Sequence, residues 1–495
     1  MRLLIINPPH LSIGSRLANE HLPPLGLLSV GGPLIDAGYH VNLLDADYFN
    51  HTIKEIIDRI PLYSPDIILL GHSGSTSAQP IIAQLTEGIK NIHPHITTIV
   101  GGVFPTYHYQ EILENQRSID FCVIGEGEET ILHLVNALKN KSELKEVRGI
   151  AFLEKGKVYK TKAASVLADL DQYRIAWELM EGYNYTYWGK KKAVVIQFSR
   201  GCPYPCTYCG QSLFWKKWRH RDPQKLADEM EWLHLSLGVK VFNFADENPS
   251  SNPREWRKFL EALCAKNLDL ILVGSIRADN IVRDKDFLHL YKKAGFERFL
   301  LGIENYDEVV LERIKKAGEI SKDKEAISLL RQHGILSMAT YVVGFGEERT
   351  IDFVNSLKQL LTYDPDQVQL LYATPHQWTP YFDEVKDQEI ILDDQRKWDY
   401  KHQVLKTKHL PAWIVILYVK MIEIILQTRP KALLRLFFHP EKKLRHAMWW
   451  YTRIGRRVWI WELYQFFFVT PLLKHRKLVR EFWSSPVAIA QPIKN

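Results

Sequence analysis

The sequence predicts an α/β chain in three parts: a doubly wound parallel sheet over residues 1–145, a partial α/β barrel over 191–380, and a helical region over 381–495. Three observations predict it. Short apolar runs alternate with helical stretches twice over. Several runs of the first set end at glycine or small polar clusters, where open sheets bind ligands beyond the carboxyl ends of their strands. After Thr374 the alternation stops and the chain turns aromatic and basic.

The first runs are Leu3 to Asn7, Val41 to Asp45, Ile67 to Gly71, Thr98 to Gly102 and Phe121 to Gly125. The opening run is too short for a signal sequence and is stopped by Pro8 and Pro9, so it reads as a strand. Residues 146–190 read as a connector with a small hairpin, Gly149 to Phe152 and Lys157 to Lys160. The second set comprises Val194 to Phe198, Val241 to Phe244, Leu270 to Gly274, Phe299 to Ile303, Ser337 to Val343 and Gln367 to Ala373, six βα units of a barrel. Residues 395–480 read as helices; the apolar run Pro411 to Gln427 is short for a membrane span and carries Lys420 and Glu423.

A chain of 495 residues buries a core that needs no disulfides. Of its five cysteines, Cys202, Cys206 and Cys209 lie together while Cys122 and Cys264 stand apart, which excludes a secreted disulfide framework and points to a reducing, cytoplasmic setting. A net charge of +7 is too small to imply nucleic acid without a concentrated patch. The excess gathers at residues 430–480, where Trp449-Trp450-Tyr451-Thr452-Arg453-Ile454-Gly455-Arg456-Arg457 mixes aromatics with arginines. That region reads either as a substrate cap or as a peripheral contact with the anionic inner face of a membrane.

Arg200-Gly201-Cys202-Pro203-Tyr204-Pro205-Cys206-Thr207-Tyr208-Cys209 places three thiols on one Gly/Pro-rich loop after the first barrel strand. Three cysteines can ligate three irons of a cubane and leave the fourth iron open. A closed zinc site would need a fourth ligand, which Pro203, Pro205 and Tyr208 do not supply. This loop resembles that of the radical S-adenosylmethionine (SAM) superfamily, and the resemblance covers residues 193 to about 375. It implies a [4Fe-4S] cluster on Cys202, Cys206 and Cys209, SAM on the open iron, and Tyr208 near the adenine. By position it also implies SAM contacts from Asp246 and Glu247 after the second strand, Ser275 and Arg277 after the third, Glu304 after the fourth, and Val343 and Gly344 after the fifth. The superfamily's Gly-Gly-Glu is absent at Asp246-Glu247.

A doubly wound domain before such a barrel resembles the cobalamin-dependent branch, which implies cobalamin near His10, Ser73, Ser75, Thr76, Gly101, Gly102 and Glu126. The Asp-x-His-x-x-Gly loop is missing, so cobalamin is expected with its base detached and no protein nitrogen on cobalt. No Gly-x-Gly-x-x-Gly follows the first strand, which argues against a dinucleotide.

Phe214-Trp215-Lys216-Lys217-Trp218-Arg219-His220-Arg221-Asp222-Pro223 and Ala245-Asp246-Glu247-Asn248-Pro249 resemble the anaerobic oxidative cyclases of bacteriochlorophyll synthesis. That resemblance implies a porphyrin substrate, magnesium-protoporphyrin IX monomethyl ester, and an external donor such as flavodoxin or ferredoxin. Trp215, Trp218, Trp378, Trp449, Trp450, Trp459 and Trp461 offer stacking area for a flat ring system, and neighbouring cations offer partners for propionates. A cobalamin-dependent methyltransferase acting on a tetrapyrrole or other aromatic substrate uses the same cofactors and is the alternative. A binding protein with a structural cluster would cleave no SAM.

Overall fold

The computed structural model describes residues 1–9, 20–72, 76–316, 320–475 and 477–484, leaving out the side chains of His72 and Ser212. His10, Ser73 and Ser75 therefore lie outside the described residues. In the first sheet β1 (Arg2–Asn7), β2 (His40–Asp45), β3 (Ile67–His72), β4 (Thr97–Gly102) and β5 (Phe121–Val123) run parallel in the order 2-1-3-4-5. Leu3 and Ile5 enter one core and Leu4 and Ile6 another, because successive side chains of a strand face opposite sides of the sheet. Burial on both faces is why these strands read as unbroken apolar runs. Helices α1 (Leu25–Asp36), α2 (Ile53–Tyr63), α3 (Gln79–Ile92), α4 (Val103–Asn115) and α5 (Glu128–Asn140) cover the faces. The strand order reverses between β1 and β3, where sheets of this kind open a ligand crevice.

The hairpin expected inside the connector, β6 (Ile150–Glu154) and β7 (Lys157–Lys160), continues the first sheet in antiparallel sense, pairing Phe152 with Phe121. Its apolar face, with Ile150 and Phe152 in the same core as Phe121, explains the attachment.

The second sheet is built of β8 (Thr186–Tyr187), β9 (Lys191–Ile196), β12 (Val241–Phe244), β13 (Ile271–Ile276), β14 (Phe296–Glu304), β15 (Leu336–Val343) and β16 (Gln367–Tyr372). Their order across the sheet is β16-β15-β14-β13-β12-β9-β8. Six are parallel, and β8 joins antiparallel. Between β9 and β12 lies the two-stranded ribbon of β10 (Ser199–Arg200) and β11 (Arg219–His220). The outer helices are α6 (Pro223–Leu237), α7 (Pro253–Ala265), α8 (Leu288–Ala294), α9 (Ile320–Gln332) and α10 (Thr350–Tyr363). Two of them start as their sequence dictates: Asp222 and Asn252 accept from the first free amides, and a proline follows each.

Beyond the barrel come one short helix, Pro380–Val385, and a 3-10 turn, Gln395–Lys397, and the long helices begin at Ala412 rather than near 395. Residues 386–411 instead form a strap, bridged at Ile390 to Leu405 and at Glu389 to Leu478. Buried Gln395, Lys397 and Asp399 break the helical pattern there, and Trp398 stacks on Phe482 at 4.1 Å. Then come α11 (Ala412–Thr428), α12 (Pro430–Phe438) and α13 (Lys442–Tyr464). Asp364, at the end of α10, receives Arg429 at 2.6 Å and Arg435 at 2.8 Å and so docks α11 and α12 on the barrel. Leu436, Leu444, Ala447 and Met448 pack against Ala193, Val241, Ile271, Val273 and Leu336. Their strand neighbours Val194, Phe242 and Leu272 belong to the core under the outer helices, so this cluster lies inside the bore, toward the amino-terminal ends of the strands.

Candidate active site

The loop bearing the three cysteines is closed at its base. The β10–β11 ribbon joins its two ends, and Gly201, at φ +93°, passes so near Lys217 that a Cβ would stand 2.6 Å from the carbonyl oxygen. Thr207 donates its amide to Ile314 and accepts from the amide of Tyr381, and Cys209 turns back to the carbonyl of Cys206. Cys202, Cys206 and Cys209 are half-buried and none is in a disulfide. Burial pushes the Cys202 and Cys206 thiols up, while Arg277 beside both and Lys316 beside Cys206 pull the other way.

Around the loop stand most of the predicted strand-end residues. Arg277 pairs with Asp279 at 2.9 Å and lies 3.6 Å over the ring of Tyr204, on the cysteine loop itself. Glu304 is buried in a left-handed conformation, φ +70°, 3.3 Å from Lys316. Burial, then the carboxylate of Glu304, raise the Tyr208 hydroxyl well above its ordinary range. Ser275 is half-buried on the same rim. Val343 lines a cavity of about 190 Å³ with Phe345 and Glu348, and Gly344, at φ +84°, donates its amide to Glu348 at 2.8 Å.

Two neighbouring acids differ sharply. Asp246 accepts from the amides of Phe198 and Ser199 and from the Ser199 hydroxyl, at 2.5–3.0 Å, so both its oxygens tie the chain entering the β10 ribbon to the end of β12. Burial nevertheless pushes it up to about 7. Glu247 accepts the indole N–H of Trp215 with one oxygen, while the other is buried without a partner. Only Glu247 of the two offers an acceptor to a bound cation.

The first domain meets the loop through ion pairs. Glu126 grips Arg219 with both oxygens, at 2.6 and 3.0 Å, and also receives the amide of Leu167. Glu128 holds Arg200 at 2.5 Å. The carboxylate expected beside cobalamin is thus engaged in clamping the cysteine ribbon. Thr76 is buried, with its hydroxyl 2.8 Å from Nδ1 of His376, and Gly101 and Gly102 close β4, Gly102 at φ +108°.

Sequence reasoning missed His376 and His108. Each is buried with an unpartnered Nε2, and burial lowers each to about 3. Trp378 stacks on His376 at 4.8 Å and on Tyr107 at 5.6 Å and donates to the carbonyl of Gly210, next to Cys209; Trp483 stacks on His108 at 5.1 Å. A lone histidine gives no pattern to find. The tryptophans expected to stack on substrate are mostly held in place: Trp218 donates to Asn248, Trp459 to Lys420 and Trp450 to Glu20, while Trp449 is exposed.

Comparison with known proteins agrees with this architecture. A family model described as the Radical SAM superfamily matches residues 196–358, and one described as the B12 binding domain matches residues 15–135. The chain is 53% identical to the anaerobic magnesium-protoporphyrin IX monomethyl ester cyclase of Synechocystis sp., over 98% of this chain and 97% of that one. It is 32% identical to the protein of the same name from Cereibacter sphaeroides, over 83% of this chain and 68% of that one. Among solved structures it is similar to the cobalamin-dependent SAM radical enzyme OxsB with aqua-cobalamin and SAM bound, with a TM-score of 0.68 and 19% identity over 93% of this chain and 72% of the other; this likeness concerns the fold.

Proposed function

The chain belongs to the family of anaerobic magnesium-protoporphyrin IX monomethyl ester cyclases, and from that premise we propose that it forms the isocyclic ring of chlorophyll-type pigments without molecular oxygen. The near full-length identity to the Synechocystis cyclase carries this reading. One SAM would serve as the two-electron oxidant for each oxidation, leaving as methionine and deoxyadenosine: hydrogen is removed from the esterified propionate side chain, water adds to the oxidised carbon and becomes the ketone oxygen after a second oxidation, and a third closes the ring.

The residues present fit the family's cofactors. Cys202, Cys206 and Cys209 would hold the [4Fe-4S] cluster, and the unpartnered, buried oxygen of Glu247 would accept from the SAM ammonium. Arg277, held by Asp279, would meet the SAM carboxylate, and Glu304 with Tyr208 would border the nucleoside. The crevice between β1 and β3, the close turn at Gly102, and the orphaned Nε2 atoms of His108 and His376 would accommodate cobalamin. When bound, cluster and SAM supply a hydrogen-abstracting radical, and cobalamin supplies one-electron chemistry at cobalt. The chain's own part is to orient these groups, to exclude water by burial, and to join the two cofactor sites rigidly through Glu126–Arg219 and Glu128–Arg200.

Cys122 and Cys264 are buried and far apart in sequence, so they do not complete a second cluster, and the electrons come from an external donor of the flavodoxin or ferredoxin class. The lipophilic porphyrin is met at a membrane, to which the chain attaches peripherally; no described helix is long and apolar enough to cross one.

The test is an anaerobic assay with magnesium-protoporphyrin IX monomethyl ester, SAM, cobalamin and a reductant in oxygen-18 water. A labelled ketone product, with deoxyadenosine and without S-adenosylhomocysteine, is expected, and the Cys206→Ala variant should form neither. A methylated tetrapyrrole with stoichiometric S-adenosylhomocysteine would overturn the reading.

A further inference from the structure

The C-terminal helices carry an outer surface that the cofactor sites leave unused. On α11, Trp413, Leu417, Met421 and Ile424 follow one another at steps of three and four, which places them on one stripe, and all four are exposed. The opposite side, with Val415, Val419, Ile422 and Leu426, packs into the core. On α12, Phe437 and Phe438 are exposed, and Phe437 meets Trp449 of α13 edge-on at 5.2 Å. Ile460 and Tyr464 extend the apolar surface along α13, and Phe468 stacks on Tyr464 at 5.7 Å. Of the 25 large apolar side chains exposed among the described residues, 15 lie between Trp413 and Leu472. Protein surfaces ordinarily scatter such side chains singly, and a dense group marks a contact.

Charge identifies the partner. Between residues 411 and 475 the acids are Glu423, Glu441 and Glu462, and each pairs with a lysine. Lys431, Arg453, Arg456, Arg457 and Lys474 are exposed and make no ion pair among the described residues. Aromatic and aliphatic side chains beside unneutralised cations are what a helix needs to lie in the head-group layer of an anionic bilayer.

We propose that the outer face of α11, α12 and α13 binds an anionic lipid surface, its apolar side chains entering the head-group layer and its free cations meeting lipid phosphates. This face is thereby the specific seat of the membrane attachment. That the enzyme collects its porphyrin there rests on the cyclase reading; the lipid contact does not.

Flotation of the full-length chain, without substrate, on vesicles of phosphatidylcholine alone or with phosphatidylglycerol tests the surface. Binding to the anionic vesicles, weakened by salt, is expected. The R453Q/R456Q/R457Q variant should lose affinity on the order of a hundredfold, since each cation near an anionic surface contributes several-fold. Phe438 and Phe468 are 75% and 79% exposed, so the F438S/F468S variant keeps the fold, and it should bind at least tenfold less. No binding at low salt, equal binding to neutral vesicles, or a concentration-dependent dimer that F438S/F468S abolishes would each overturn the proposal. Turnover with detergent-dispersed porphyrin separates the two readings: vesicle binding without turnover sinks only the cyclase, and turnover without vesicle binding sinks only the lipid surface.

Discussion

Replacing Glu126 with Gln distinguishes a clamp between domains from a direct cofactor contact. The Glu126 and Arg219 side chains are 5% and 11% exposed and share a two-point contact at 2.6 and 3.0 Å. Removing one partner of a buried pair strands the other, at about 3 kcal/mol. Arg219 retains the carbonyls of Leu167 at 2.6 Å and Trp215 at 3.2 Å, which lessen the loss. We expect E126Q to cost about 2 kcal/mol and R219Q a similar amount, with a coupling of about 1–2 kcal/mol in the double variant. Chemical denaturation of the full-length chain measures the stability, and titration with hydroxocobalamin measures the affinity. For a clamp, R219Q weakens cobalamin binding as E126Q does, and the double variant adds little. A cost below about 0.5 kcal/mol for E126Q, or strict additivity of the two changes, would refute the reasoning.

Two further outcomes follow from buried charge. His108 and His376 are held neutral, each lowered by burial to about 3 against an ordinary value near 6.5. The unfolded chain therefore binds more protons, and the stability these rings contribute is complete above about pH 6.5 and is lost as the pH falls from there toward 3. By pH 5 the loss is about 2 kcal/mol per ring, and the acid limb of a denaturation profile should flatten in the H376N variant, whose amide still reaches Thr76. At Asp364, burial alone would raise the carboxyl, but hydrogen bonds from Arg435 and Arg429 outweigh it and hold it below the ordinary range. Its contribution is present above about pH 4 and is lost below; D364N should cost about 2–3 kcal/mol at neutral pH and speed proteolytic release of the chain beyond residue 410.

The strands of both sheets could be read from sequence because burial on two faces leaves uninterrupted apolar runs between polar turns. The cysteine loop could be read because its ligands are local. What could not be read depends on partners distant in sequence. Glu126 lies 93 residues from Arg219, and nothing in its flanking glycines announces that partner. Asp246 and Glu247 are adjacent and chemically alike, yet one is saturated by two backbone amides and the Ser199 hydroxyl and the other keeps an open oxygen, a difference set by where the chain passes between β9 and β10. The hairpin of residues 150–160 was visible, but its attachment to β5 was not, because edge pairing depends on which strand lies outermost. His376 acquires its place only when Thr76, 300 residues earlier, is folded against it.

The packing of α12 and α13 into the amino-terminal mouth of the bore has a consequence for traffic. A barrel open at both ends could be loaded from one side and emptied from the other. With Leu444, Ala447 and Met448 acting as a stopper, and with Tyr451 donating to the carbonyl of Val368 on β16 while Trp450 packs on Tyr187 of β8, arrivals and departures share the exit at the carboxyl ends of the strands. Whatever lies deepest must enter first and leave last, so the order of turnover is written into the depth of the vessel.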